Sequence, residues 1–177
     1  MLPHFPSVFL TVGTTEFNEL IAVIDQPGFV DALVGVGCRR FTVQVGRGVF
    51  PEGLVRLCDR QGIACECYRF KPDLVDDMRT ADLIISHCGA GSILEAMNLR
   101  KPLIVAVNST LQGNHQTELS DALAADGNCL STTPRTLPSV LAQLVAREVP
   151  LDTFCRPFPD ARTDVFPAAI DELLGFQ

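Results

Sequence analysis

The chain has 177 residues, 47% hydrophobic and 20% charged, with a formal net charge of −7, which fits one globular domain with room for a complete core. The acidic balance argues against a nucleic-acid partner, whose phosphates would be repelled. Any bound anion must then be held locally, by backbone amides and helix ends.

From the N-terminus, "SVFLTV" (Ser7–Val12) is β-rich and ends in Gly13-Thr14-Thr15. Phe17–Ile24 has helical spacing, and Phe29–Gly37 continues in that manner after Pro27-Gly28. "FTVQV" (Phe41–Val45) reads as a strand ending in Gly46-Arg47-Gly48, followed by a helix over Glu52–Gln61 and a strand over Ile63–Phe70. Asp73–Arg79 is a short helix, Asp82–Ser86 a buried strand, Ser92–Leu99 a helix and Pro102–Val107 a strand. A loop, a helix over Asn114–Asp126, a brief strand at Cys129–Ser131 and a helix over Leu137–Arg147 complete the periodic part.

Continuous Val/Ile/Leu runs imply strands covered on both faces, and strand–helix alternation implies parallel crossovers. The expected fold is therefore an α/β doubly wound, mostly parallel sheet of about six strands. Ligands of such sheets sit beyond the carboxyl ends of the strands, where this chain carries "VGTT", "VGRG" and "HCGAGS".

From Val149 the texture changes: "VPLDTFCRPFPDARTDVF" holds three prolines and little periodicity. It leads to "PAAIDELLGF", where Pro167 suits a first helical turn and Phe166, Ile170, Leu173 and Leu174 form one apolar stripe. The expected division is thus 1–148 as the binding domain and 149–177 as a strap and terminal helix. That helix packs on its own domain or docks on another chain.

The seven cysteines are scattered, odd in number and include no CxxC pair, so reduced thiols serving as small core residues are expected. The opening "MLPHFPSVFLTVGTTEF" has no basic n-region and its apolar run breaks at Gly13; no signal peptide is expected. No apolar run approaches the roughly 20 residues that span a bilayer. A soluble chain follows as the expectation.

Familiar signatures are missing: there is no GxxxxGK[ST], HExxH or GxSxG, and Gly89-Ala90-Gly91 lacks the third glycine of the dinucleotide fingerprint, Leu94 standing there. What remains is a strand–glycine loop–helix unit whose amides and positive helix end suit a phosphate without a lysine. Ser92 and Glu95 have two readings. S-x-x-E before an apolar helix is a capping box; a carboxylate there could instead accept from both hydroxyls of a ribose diol. Asn114 is a reasonable N-cap on local grounds, which would point His115 and Gln116 into whatever lies above the sheet.

The order of these parts resembles the cytosolic catalytic subunits of the two-part N-acetylglucosaminyltransferase that adds the second sugar of the dolichol-linked oligosaccharide. More broadly it is similar to the donor half of the peptidoglycan lipid II glycosyltransferases, the family 28 C-terminal domain of the GT-B fold. The likeness runs from about Val8 to Leu141 and is carried by "VFLTVGTTEFNELI", "QVGRG", "YRFKPDLVDDMRTADLIISHCGAGSILEAMNLRKPLIVAVN" and "GNHQTELSDALAADG".

The resemblance implies a UDP-N-acetylglucosamine (UDP-GlcNAc) site on the Rossmann-like donor half. Gly13, Thr14, Thr15, Gly89, Ala90, Gly91 and Ser92 would border the diphosphate, and Phe70 and Lys71 occupy the loop that meets uracil in bacterial relatives. Glu95 lies six residues after Gly89, the relatives' spacing for a ribose-binding glutamate, and Gln116 lies eleven before Gly127, the spacing of a sugar-reading glutamine. His115 stands where those relatives carry another glutamine, and Cys88 replaces an expected alanine.

The implied reaction is attack by the 4-hydroxyl of GlcNAc-diphospho-dolichol on the anomeric carbon, with inversion to a β1,4 link. The chain has no DxD triplet, so neither a metal nor another cofactor is expected. The general base is left open between His87 and His115. A GT-B enzyme needs two domains and this chain has length for one. The resemblance therefore implies a membrane-anchored partner that supplies the acceptor domain, with the Phe166–Leu174 stripe docking on it. It further implies a cytoplasmic chain recruited to the cytosolic face of the endoplasmic reticulum. The rival readings are a non-catalytic nucleotide-binding module and a bacterial two-chain polysaccharide glycosyltransferase subunit.

Overall fold

A computed structural model describes residues 4–108 and 115–146, with the His115 side chain outside that set. Six strands are present among the described residues: β1 (Ser7–Thr11), β2 (Arg40–Gln44), β3 (Ala64–Tyr68), β4 (Leu83–His87), β5 (Leu103–Ala106) and β6 (Leu130–Thr132). All pair in parallel, in the order β3-β2-β1-β4-β5-β6. The helices between them are α1 (Asn18–Ile24), α2 (Pro27–Gly35), α3 (Leu54–Arg60), α4 (Val75–Thr80), α5 (Ala90–Asn98), α6 (His115–Ala125) and α7 (Leu137–Ala146), the last preceded by a 3-10 turn at Pro134–Thr136.

The doubly wound expectation holds, and the side-chain alternation shows why the central strands β1, β4 and β5 carry apolar residues on both faces. Val8 and Leu10 of β1 enter one core with Leu20, Ile21, Phe29 and Phe41, while Phe9 enters a second with Met78, Ile93 and Met97. In β4, Leu83 and Ile85 face the first core and Ile84 the second; in β5, Ile104 and Ala106 face the first and Leu103 and Val105 the second. A strand packed by helices on both faces has no side where water rewards a polar residue.

Boundaries differ from the sequence expectation in three instructive places. The second helix starts at Pro27 rather than Phe29, because proline lacks only an amide that the first turn leaves unbonded anyway. The fifth starts at Ala90 rather than Ser92, so two of the glycine-loop residues already belong to its first turn. The last strand is Leu130–Thr132 instead of Cys129–Ser131.

The strand order puts the chain reversal between β1 and β4. One crossover leaves β1 towards β2 and the sheet later resumes on the opposite side at β4, opening a crevice at their carboxyl ends. Among the described residues no helix is long and apolar enough to cross a membrane. Residues 149–177, including the expected strap and stripe, lie outside the described set.

Candidate functional site

The crevice at the reversal is a cavity of ≈ 440 Å³, within the range of small-ligand sites. Its floor is His87, the last residue of β4, which is only 8% exposed. The imidazole is wedged between two glycines. A Cβ added to Gly13 would meet His87 Cε1 at 2.6 Å, and one added to Gly89 would come closer still to Nε2. Gly13 also has φ +62, a conformation that favours glycine. His87 Nδ1 is shut off from solvent and makes no hydrogen bond among the described residues. Burial pushes the imidazole pKa below its ordinary value, opposed weakly by the nearby Thr11 backbone, so the ring is neutral at pH 7.

The N-terminus of α5 forms one wall. Gly89 is its N-cap, extended at φ −103 and ψ 121, with no side-chain cap hydrogen bond. The first helical bond runs from the Ile93 amide to the Gly89 carbonyl, leaving the Ala90, Gly91 and Ser92 amides without an acceptor among the described residues. Of the two readings of Ser92 and Glu95, the capping box therefore does not hold. Both residues lie inside the helix, Ser92 in its first turn and Glu95 one turn on, so neither occupies the position from which a side chain reaches the orphan amides. Glu95 is exposed and lines the cavity, as do Ser92, Gly91, Ala90 and Gly89.

The opposite wall comes from β1 and β3. Thr14 faces the cavity, whereas Gly13 and Thr15 stay off its wall. The Gly13 amide donates to Thr11 Oγ1 at 3.0 Å and Thr15 Oγ1 donates to the Val12 carbonyl at 2.8 Å. Phe70, 51% exposed, presents an open aromatic face. Lys71 also lines the cavity, but its ammonium is held 3.0 Å from both Asp77 oxygens and lies 4.1 Å over the Tyr68 ring. Tyr68 in turn donates to Asp77, and its pKa is pushed up by burial and by that carboxylate. Lys71 is thus a partly neutralised cation.

Four residues on this wall escaped the sequence reading: Gln44, Pro72, Asp73 and Leu74. The one available signal for Gln44 was its polarity inside the apolar run "FTVQV", just before "VGRG". Gln116 is not brought onto the described wall. Its Oε1 accepts from the Asn108 amide at 3.2 Å, and the Cys88 thiol donates to its carbonyl at 3.1 Å, tying α6 to the ends of β4 and β5. His115 opens α6 at the same rim, while Asn114 lies outside the described residues.

The second glycine loop is pinned from β3. Arg69 Nη1 donates to the carbonyls of Gly46 and Gly48 at 3.1 and 2.9 Å, and its guanidinium lies 5.7 Å over the Phe50 ring.

Comparison with known proteins places this geometry. The chain is 41% identical over 131 residues to the human protein named UDP-N-acetylglucosamine transferase subunit ALG13, covering 73% of this chain but 11% of that protein, so it spans about one-tenth of the length of that relative. A Cryptococcus neoformans protein of the same name is 29% identical, with 99% of this chain and 100% of that one aligned. The crystal structure of MurG from Acinetobacter baumannii superposes with a TM-score of 0.66 at 17% identity, covering 96% of this chain and 50% of that one. That likeness carries the fold: this chain corresponds to one half of a GT-B molecule. Residues 7–151 match the Glycosyltransferase family 28 C-terminal domain, and the chain belongs to that family.

Proposed function

We propose that this chain binds UDP-GlcNAc in the crevice between β1 and β4 and is the donor-binding catalytic subunit of a transferase that passes the sugar to GlcNAc-diphospho-dolichol. The observation that carries this reading is the row of three open amides, Ala90, Gly91 and Ser92, at the α5 N-terminus, with the Glu95 carboxylate one turn behind them. The amides and helix dipole suit a diphosphate. Glu95 suits the ribose diol and the open face of Phe70 suits uracil. In this reading Thr14 meets the diphosphate from the β1 side, while Gly13 allows His87 to approach from below. Gln116 and His115, at the rim beside the Ala90 wall, are assigned to the sugar.

The mechanism follows from which charge develops. The 4-hydroxyl of the acceptor attacks the anomeric carbon, the bond to the β-phosphate oxygen breaks, and UDP leaves with the electron pair. Donors already aimed at the diphosphate stabilise that charge without reorganisation. His87, neutral and wedged beneath the two glycine loops, lies on the leaving-group side. We therefore assign it a hydrogen-bonding role towards the diphosphate and not proton abstraction. In an inverting displacement the base stands on the opposite face of the anomeric carbon, and we assign it to the acceptor side of the cleft.

A membrane-anchored partner is part of the same proposal. This chain matches half of a GT-B molecule, and both protein relatives are named as subunits. The partner supplies the acceptor domain and brings the chain to the cytosolic face of the endoplasmic reticulum, with residues 149–177 as the docking element. The product link is β1,4.

Calorimetric titration of the full chain with UDP, UDP-GlcNAc, NAD and ATP tests the donor site. The uridine nucleotides are expected to bind, and a preference for NAD or ATP overturns the assignment. Transferase assays with and without a co-expressed candidate partner test the heteromer. Full activity of the chain alone refutes partner dependence.

A further inference from the structure

One side chain on the cavity wall ties the end of one strand to two loops at once. Gln44, the last residue of β2, is 2% exposed. Its Oε1 accepts from Thr11 Oγ1 at 2.6 Å, and its Nε2 donates to the Gly13 carbonyl at 2.6 Å and to the Arg69 carbonyl at 2.8 Å. Two carbonyls can be served only by the NH₂ end, so the network itself fixes the amide's orientation. Thr11 completes the circuit, because the same hydroxyl that donates to Gln44 accepts from the Gly13 amide at 3.0 Å. Gly13 is therefore held at both its amide and its carbonyl, in a backbone conformation with φ +62.

The consequences reach the ligand side. Gly13 precedes Thr14 and faces His87, while Arg69 precedes Phe70 and pins Gly46 and Gly48 with its own side chain. The separation between the diphosphate wall and the uracil wall is thus set by one carboxamide at the parallel register Thr11↔Gln44↔Tyr68. A hydrophobic residue of similar size would fill the volume but take the side-chain donor from the Gly13 and Arg69 carbonyls, leaving Arg69 only the Gly46 amide, and take the acceptor from the Thr11 hydroxyl.

We propose that Gln44, braced by Thr11, is a positioning residue for the sugar-nucleotide site. It holds the β1 and β3 loops at the spacing that lets one UDP-sugar touch both walls. This rests on the donor-site reading above and deepens it. Gln44 acts through the loops, without contact to the reacting atoms.

The test is Gln44→Glu. The variant keeps the shape but sets an acceptor against the Gly13 and Arg69 carbonyls while ionised. When protonated it regains one donor. Burial and two carbonyl neighbours raise the carboxyl pKa, so the spacing is disturbed at high pH and restored as pH falls. Titration of the full chain with UDP-GlcNAc should show affinity weakened roughly tenfold or more near pH 8, as for a lost buried hydrogen-bond pair. It should recover most of that loss near pH 5.5. The wild type is expected to vary far less over the same window. Gln44→Leu should bind weakly at both pH values, and Thr11→Val should show a smaller loss. Amide NMR spectra monitor folding and report Gly13 and Arg69 directly, whose signals should move with pH in Gln44→Glu alone. A folded Gln44→Glu that binds as wild type near pH 8, or loses affinity equally at both pH values, overturns the positioning role. A wild type that binds no uridine nucleotide overturns the donor-site reading itself, a different result from variants that bind as tightly as a competent wild type.

Discussion

Replacing Glu95 with alanine separates the ribose reading from a structural one most cleanly. The carboxylate is exposed, lines the cavity and takes no hydrogen bond from any described residue. It lies one turn inside α5, whose cap is Gly89 with no side-chain hydrogen bond. A true capping glutamate would cost about 1 kcal/mol on truncation, which in a domain of this size lowers Tm by roughly 2–4 °C. Here alanine removes no cap and has slightly better helix propensity, so Tm should stay within about 1 °C. Binding should behave differently. A charged acceptor serving two ribose hydroxyls contributes about 1–3 kcal/mol, and the exposed wall places it near the low end, about 1.4 kcal/mol, or tenfold in Kd for both UDP and UDP-GlcNAc. Calorimetry with UDP and 2′-deoxy-UDP is the decisive assay. The wild type should discriminate between them and Glu95→Ala should not. An equal loss on both nucleotides, or a Tm drop of several degrees with unchanged binding, refutes the ribose contact.

Gly13→Ala combines a left-handed backbone with a Cβ 2.6 Å from the His87 ring. It should lose at least about 1–2 kcal/mol in urea unfolding together with UDP affinity, and near-wild-type stability would disprove the wedged imidazole. Because burial lowers the His87 pKa from 6.5, the unfolded chain binds the proton more readily. Its stabilising contribution is full above that ordinary value and falls away as pH drops towards the lowered folded value. The His87→Gln variant should therefore have a flatter Tm profile between about pH 7 and pH 5; parallel profiles contradict the assignment. Cysteine reactivity should be ordered by environment. Burial pushes Cys38 and Cys129 up to about 12, whereas Cys67 is half-buried and lowered by its contact with Cys65, whose sulfur lies 4.0 Å away. Peptide mapping after brief iodoacetamide treatment of the native chain should find Cys67 labelled before either, and early labelling of Cys129 would reverse the order.

Much of the architecture was written locally. The stretches Leu83–Ile85 and Leu103–Val107 are apolar at every position because both faces are covered, and that pattern with intervening helices already implied parallel crossovers. The glycine loops were visible because glycine, unlike other residues, tolerates φ such as +62 at Gly13 and +67 at Gly46. Local reading failed where local rules compete. S-x-x-E satisfies a capping pattern at Ser92, yet the helix begins two residues earlier, since Gly89 can serve as an extended N-cap and Ala90 starts the turn. The Lys71–Asp77 pair was equally out of reach, because nothing in the local pattern shows that the lysine ammonium sits against that carboxylate.

By itself the sequence determined the alternation of strands and helices, the places where the backbone turns and the glycine-rich segments that end the strands. Those are properties of short segments, set by side-chain periodicity and backbone sterics. Only the tertiary structure decided that β1 lies next to β4. That adjacency brings Gly13, His87 and Gly89 to one point, and the placing of β2 between β1 and β3 lets Gln44 bridge loops 31 and 25 residues away. Strand order is settled by how all the helices share the two faces of the sheet, a global packing condition that no window of sequence contains.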